Sequence, residues 1–195
     1  MSKKEFGGEV EITGGEFRRR KIVTPGGGTH PMGSRERLAL FNSIGSSLVG
    51  ADVLDAYAGS GAIGFEALSR GAKSATFIDK APGARQAIKH NIVELGVEDR
   101  CTLIPMRVEE YAQINRPSEE SQPGFDFIFA DPPYDDFDPR GIDGLSYCLK
   151  PEGLLALSHP DVTPDFPRLV KLRTRKYAGA HLTFYQKKSL PDTLN

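Results

Sequence analysis

The sequence predicts an α/β fold in which a mostly parallel sheet is covered by helices on both faces. Three observations predict it. From about residue 51 onward, short apolar runs alternate with helical stretches, the pattern of successive strand–helix–strand units. A glycine-rich loop, Gly59-Ser60-Gly61-Ala62-Ile63-Gly64, follows the first of these runs and leads into a helix, where glycines let the backbone pass close to a ligand. Asp131-Pro132-Pro133-Tyr134 closes the aromatic run Phe125-Asp126-Phe127-Ile128-Phe129-Ala130, and in open sheets of this type ligands bind outside the carboxyl ends of the strands.

At the amino end, the alternation Glu9-Val10-Glu11-Ile12-Thr13 and the segment from Glu16 to Val23 read as a hairpin turning at Gly14-Gly15. Pro25-Gly26-Gly27-Gly28-Thr29-His30-Pro31 reads as a flexible loop. Ser34 is placed to cap a helix running to about Leu48, with Leu38, Phe41, Ile44 and Leu48 recurring at helical spacing. Residues 1–50 thus read as an extension and 51–195 as the main domain. In that domain strands are expected over 52–56, 75–79, 102–105, 125–130 and 154–158, and helices over 62–69, 84–95, 108–114 and 141–149. Residues 116–124 read as a polar surface loop. The closing runs 169–175 and 181–187 are separated by too few residues for a crossover helix, so an antiparallel hairpin at the sheet edge is expected.

At 195 residues the chain has the size of one ordinary domain. No apolar run approaches bilayer length and the first residues carry no apolar signal segment, so a cytoplasmic location is expected. Cys101 and Cys148 stand beside apolar residues and read as buried reduced thiols, and the four histidines show no ligand spacing, so no metal is expected. A net charge of −1 gives no general attraction to nucleic acid. The distribution is more informative. Arg18-Arg19-Arg20-Lys21 is a tight basic run, and Arg18, Arg19, Arg20, Arg35 and Arg37 are candidates for phosphate contacts against the plainer reading of a solvated face.

Taken alone, Asp131-Pro132-Pro133-Tyr134 is equally a strand-ending turn. Its two prolines fix φ and remove two donors. What remains is an acceptor-rich corner, the Asp131 carboxylate and the Pro132 carbonyl beside the Tyr134 ring, and that suits a flat amine. The glycine loop fits G-x-G-x-x-G, a fingerprint that dinucleotide enzymes share. Asp55, just ahead of the loop, can accept from an ammonium group but would repel a pyrophosphate. The loop also reads Ala58-Gly59-Ser60-Gly61, as in enzymes that bind S-adenosylmethionine. Asp79, about twenty residues on, stands where an acid receives ribose hydroxyls; its plain alternative is a turn cap. Loop and Asp79 together read as a nucleoside site, and Asp55 with the proline corner makes it a methyl-donor site.

These blocks resemble the RsmD family, the bacterial 16S ribosomal RNA guanine-N2 methyltransferases. The likeness runs from Gly14-Gly15-Glu16-Phe17-Arg18-Arg19-Arg20-Lys21 through Leu40-Phe41-Asn42, the glycine loop continuing to Ala72, and Asp131-Pro132-Pro133-Tyr134, to Phe184-Tyr185-Gln186-Lys187. It implies a Rossmann-like class I fold, a seven-stranded sheet with an antiparallel last strand, preceded by a small β-hairpin and helix. It implies S-adenosylmethionine as cofactor, bound by Asp55, Ala58, Gly59, Ser60, Gly61, Asp79 and the backbone near Val108, with Asp131, Pro132, Pro133 and Tyr134 as the catalytic corner. It further implies 16S rRNA or the assembling small subunit as partner and a monomeric enzyme. The chain departs from the family pattern at His30-Pro31-Met32, where Arg-Pro-Thr is usual, at Arg37-Leu38, where Arg-Glu is usual, and at Arg107, where an Asp or Asn is usual. An adenine-N6 methyltransferase on DNA or another RNA, a nicotinamide oxidoreductase and a non-catalytic RNA-binding assembly factor are the alternatives.

Overall fold

The computed structural model describes residues 6–26, 32–115, 124–134, 138–160, 163–177 and 180–188. At its amino end β1 (Gly8–Glu11) and β2 (Lys21–Thr24) pair antiparallel, as the alternation predicts. The glycine pair, however, does not make a tight turn at the hairpin tip. The connection loops out and docks on a helix end: Glu16 N–H donates to the Ser69 carbonyl at 2.7 Å and Phe17 N–H to Ser69 Oγ at 2.8 Å. A Cβ on Gly15, at φ +78°, would meet the Ser69 carbonyl oxygen at 1.8 Å, so this close approach and the left-handed backbone both demand glycine.

Helix α1 (Ser34–Ile44) begins without the expected Ser34 cap; Gly33 holds the cap position, and Ser34 is already the first helical residue. The chain then leaves the α-helix at Gly45 and makes a 3-10 turn to Leu48. Leu38 is exposed, contrary to the apolar spacing, because the buried stripe is formed by Arg37, Leu40, Phe41 and Ile44. Arg37 is therefore no phosphate contact. It is 1% exposed, donates from Nη1 to the Met32 carbonyl at 2.9 Å and from Nη2 to the Glu11 carbonyl at 2.6 Å, and faces Glu66 at 3.6 Å. Glu66, fully buried, also accepts from Thr13 N–H at 2.8 Å, Thr13 Oγ1 at 2.7 Å and Arg70 Nε at 2.9 Å. Through this carboxylate the extension is fastened to the domain behind it.

That domain runs β3 (Asp52–Ala56), α2 (Ala62–Ser69), β4 (Ser74–Ile78), α3 (Pro82–Leu95), β5 (Cys101–Ile104), α4 (Val108–Ile114), β6 (Phe125–Ala130), α5 (Pro139–Leu145), β7 (Leu149–His159), β8 (Leu169–Tyr177) and β9 (Ala180–Lys187). The strands form one sheet in the order β5-β4-β3-β6-β7-β9-β8. From β5 to β7 all pairs are parallel, and β9 is antiparallel to both its neighbours. The closing hairpin is thus seated as expected, with one refinement: the last strand lies inside the sheet and β8 is the edge. The helix expected over 141–149 starts earlier and ends sooner, because Asp138 caps it by accepting from Arg140 N–H at 2.9 Å and Pro139 takes the first helical position. β7 then begins at Leu149.

Successive side chains of a strand face opposite sides, and each side carries its own apolar cluster. One gathers Val53, Phe65, Phe77 and Phe129 with Leu40 and Phe41 of α1 and Ile12, Phe17 and Ile22 of the hairpin region. The other gathers Leu54, Ile78, Ile128, Leu155 and Tyr185 with Ile142 and Leu145 of α5. Burial on both faces is what lets a parallel sheet stand in water.

Candidate active site

Parallel pairing of β3 with both β4 and β6 puts three carboxyl ends on one rim, with Asp55 in register with Phe77 and Phe129. The rim opens into a cleft of about 830 Å³, within the range of small-molecule sites. Asp55, Ala58, Gly59, Ser60, Asp79 and Val108 line it from one side, and the four residues Asp131 to Tyr134 from another. Gly61 stands just behind the wall. It takes φ +77°, its N–H donates to the Ala58 carbonyl at 2.7 Å, and a Cβ there would meet the Phe65 ring at 2.6 Å. Gly64 lets α2 press on β4, since a Cβ would sit 2.3 Å from Phe77 Cε1.

Asp79 has two tasks in the protein itself. Its Oδ2 accepts from Gly59 N–H and its Oδ1 from Ala81 N–H, each at 2.8 Å, so it braces the glycine loop and opens α3 while still lining the cleft. Asp55 is 1% exposed and accepts from Gly64 N–H at 2.8 Å. Burial pushes its carboxyl well above the usual range, the Gly64 bond works against that, and repulsion from Asp131 and Asp79 adds to it. Asp131 is likewise raised by burial and held back by a hydrogen bond from Ser158. The Tyr134 hydroxyl lies 2.8 Å from Ser158 Oγ, while the residue is 41% exposed. Ser60, 2% exposed and on the cleft wall, has a hydroxyl with no hydrogen-bond partner among the described residues.

Ser158 was not among the residues singled out from the sequence. It is the penultimate residue of β7, the strand beside β6, and ties together both ends of the proline corner; only the strand order reveals this. The extension also contributes a wall of the cleft through Pro25, Met32, Gly33 and Glu36. Arg107, at the end of the loop after β5, pairs with Glu109 at 3.2 Å, and Glu109 accepts from Tyr57 at 3.0 Å.

The basic candidates separate. Arg35 is exposed on the first turn of α1, next to the cleft residue Glu36. Arg18, Arg19 and Arg20 are exposed, and Arg20 bonds the Glu94 carbonyl in the last turn of α3, whose first turn lines the cleft through Ala84. Ten residues of helix correspond to roughly 15 Å. No group of three or more His, Cys, Asp or Glu suited to a metal occurs among the described residues, and none of their helices is long and apolar enough to cross a membrane.

A family described as "Conserved hypothetical protein 95" matches residues 10–186. The Ribosomal RNA small subunit methyltransferase D of Haemophilus influenzae is 33% identical over 176 residues, covering 86% of this chain and 89% of that protein. The chain belongs to this family, the RsmD family. The Putative rRNA methyltransferase YlbH of Bacillus subtilis is 28% identical over 91% of this chain and 98% of its own length. Among solved structures, the putative methyltransferase yhhF from Escherichia coli superposes with a TM-score of 0.81 at 28% identity, over 94% of this chain and 100% of that one. The RsmD-family chain thus has the class I methyltransferase fold, with its seven-stranded sheet, antiparallel β9 and amino-terminal hairpin and helix.

Proposed function

We propose that the protein is an S-adenosylmethionine-dependent methyltransferase that modifies the exocyclic N2 of a guanine in 16S rRNA, in the cytoplasm. The observation that carries this reading is a single cleft that gathers Asp55, Asp79 and Asp131 with the glycine loop and Pro132-Pro133-Tyr134. Three carboxylates around one cavity disfavour a pyrophosphate and suit a cationic donor. The residues present fit that donor. The unpartnered Ser60 hydroxyl offers a polar contact, Asp79 an acceptor for ribose hydroxyls, and Asp55 an acceptor for an ammonium group, with Ala58, Gly59 and Val108 as walls and Gly61 shaping the loop. When bound, S-adenosylmethionine supplies an electrophilic methyl group on a sulfonium sulfur.

The amine of guanine is a weak nucleophile, because its lone pair is delocalised into the ring. Asp131 and the Pro132 carbonyl accept hydrogen bonds from its two protons and favour a pyramidal nitrogen, while Pro133 keeps the corner stiff. Positioning of this kind supplies much of the rate. Burial makes the Asp131 carboxylate a stronger acceptor than a solvated one. The exposed Tyr134 ring, its hydroxyl held by Ser158, offers a stacking face for a base taken out of its helix. The names of the relatives support ribosomal RNA as the substrate, and the exposed Arg35, next in sequence to the cleft residue Glu36, is the phosphate candidate on this side.

Nucleoside mass analysis of 16S rRNA from cells with and without the gene tests the reading. N2-methylguanine at one position is lost with the gene and restored by the wild-type protein, but not by Asp131→Ala, which still binds S-adenosylhomocysteine in calorimetry. Loss of N6-methyladenine instead would assign the chemistry to adenine, and calorimetric binding of NADH without S-adenosylhomocysteine would assign the cleft to another class.

A further inference from the structure

The sheet ends in an edge strand whose charge the proposed chemistry leaves unused. Between Phe166 and Lys188 the chain carries seven Lys and Arg and no Asp or Glu, in a protein of net charge −1. Four of these cations, Lys171, Arg173, Arg175 and Lys176, stand on β8, which among the described residues has a strand neighbour only on its β9 side. Arg173 fastens the strand to α1, donating to the Ser43 carbonyl at 2.8 Å and lying 4.5 Å over the Phe184 ring. Lys171, Arg175 and Lys176 are exposed and form no ion pair among the described residues.

Direction matters as much as charge. β8 is antiparallel to β9, which is antiparallel to β7, so β8 points the same way as β3, β4 and β6. Its last residue, Tyr177, lines the cleft. At about 3.3 Å per residue the span from Lys171 to Tyr177 is roughly 20 Å of cationic edge leading to the catalytic rim. Of the other basic run, Arg20 bonds the Glu94 carbonyl in the last turn of α3, the end opposite the turn that lines the cleft.

We propose that β8 is the docking track for the phosphate backbone of the RNA whose base enters the cleft; the inference rests on the RNA reading above. An edge strand also needs charge to resist pairing with another chain. That guard works with either sign, whereas a phosphate track needs positive charge, and charge reversal separates the two roles.

The test uses the full-length protein as wild type, as K171E/R175E/K176E and as K171Q/R175Q/K176Q. Binding to unmodified, in vitro transcribed 16S rRNA is measured from 50 to 200 mM salt, with methyl transfer and S-adenosylhomocysteine calorimetry alongside. The expected result is unchanged S-adenosylhomocysteine affinity, weaker RNA binding in both variants and weakest with Glu, and a raised KM for RNA. The slope of log affinity against log salt becomes shallower by about 2 for three lost contacts, at about 0.7 per contact on single strands. Wild-type RNA affinity and salt slope in both variants would leave β8 as an edge guard and overturn the proposal. If the wild type binds S-adenosylhomocysteine but neither binds nor methylates this RNA, the RNA reading falls and the track falls with it.

Discussion

Glu66→Gln isolates the buried ion cluster under the extension. The substitution keeps the shape of the side chain and removes its charge, leaving the Arg37 guanidinium, 1% exposed, without the carboxylate it faces at 3.6 Å. The Arg37 pKa is already lowered, first by burial and against the pull of Glu66. The replacement amide would also direct its N–H groups at donors, since the carboxylate now accepts from Thr13 and Arg70. Breaking one side of a buried pair costs about 3–5 kcal/mol. With an unfolding entropy near 2.1 cal/mol/K per residue, a chain of 195 residues converts that loss into a Tm drop of about 7–12 °C. Thermal and urea unfolding of the wild type, Glu66→Gln, Arg37→Met and the double variant give the loss and the coupling, expected at about 2 kcal/mol for groups in one network. A loss below about 1 kcal/mol, the value of a solvated surface pair, would refute the claim that this carboxylate holds the extension in place.

Three further outcomes follow from the geometry. In the proposed mechanism methyl transfer requires the Asp131 carboxylate, whose pKa lies above the ordinary value, so kcat/KM falls as pH drops through that raised pKa, and Ser158→Ala, which removes a bond favouring the charged form, moves this acidic limb to higher pH; a pH–rate profile unmoved by Ser158→Ala would count against the Ser158–Asp131 contact. Asp55, with its folded pKa raised, binds its proton more tightly when folded, so its contribution to stability is full below the unfolded carboxylate value and is lost as pH rises through the folded one; Asp55→Asn flattens that part of the stability–pH curve measured by urea unfolding. Gly64→Ala places a methyl 2.3 Å from the Phe77 ring in a full core and costs about 1–3 kcal/mol, read as a lower urea midpoint, whereas Gly96→Ala meets no atom within 4 Å and loses only the ease of its left-handed φ of +68°.

Local chemistry in the sequence was enough for the α/β class, the glycine loop, the proline corner and most element positions. The runs 52–56, 62–69, 108–114 and 125–130 become β3, α2, α4 and β6 without change, because periodicity, glycines and the Pro-Pro break act within a few residues. Asp55, Asp79 and Asp131 could likewise be chosen from their places at strand ends, and parallel pairing brought them to one cleft. What local pattern could not carry was partnership across the sheet and between layers. Ser158 joins the corner because β7 lies beside β6, and Arg37 is interior because Glu66 waits 29 positions downstream. Gly15 is needed for its contact with Ser69 rather than for a hairpin turn. The same rule decides the basic residues: their composition is visible in the chain, but strand direction brings the end of β8 to the cleft, while Arg20 bonds the far end of α3. Charge and hydrophobicity belong to single residues and can be read from them, whereas proximity belongs to pairs and exists only once the chain has folded.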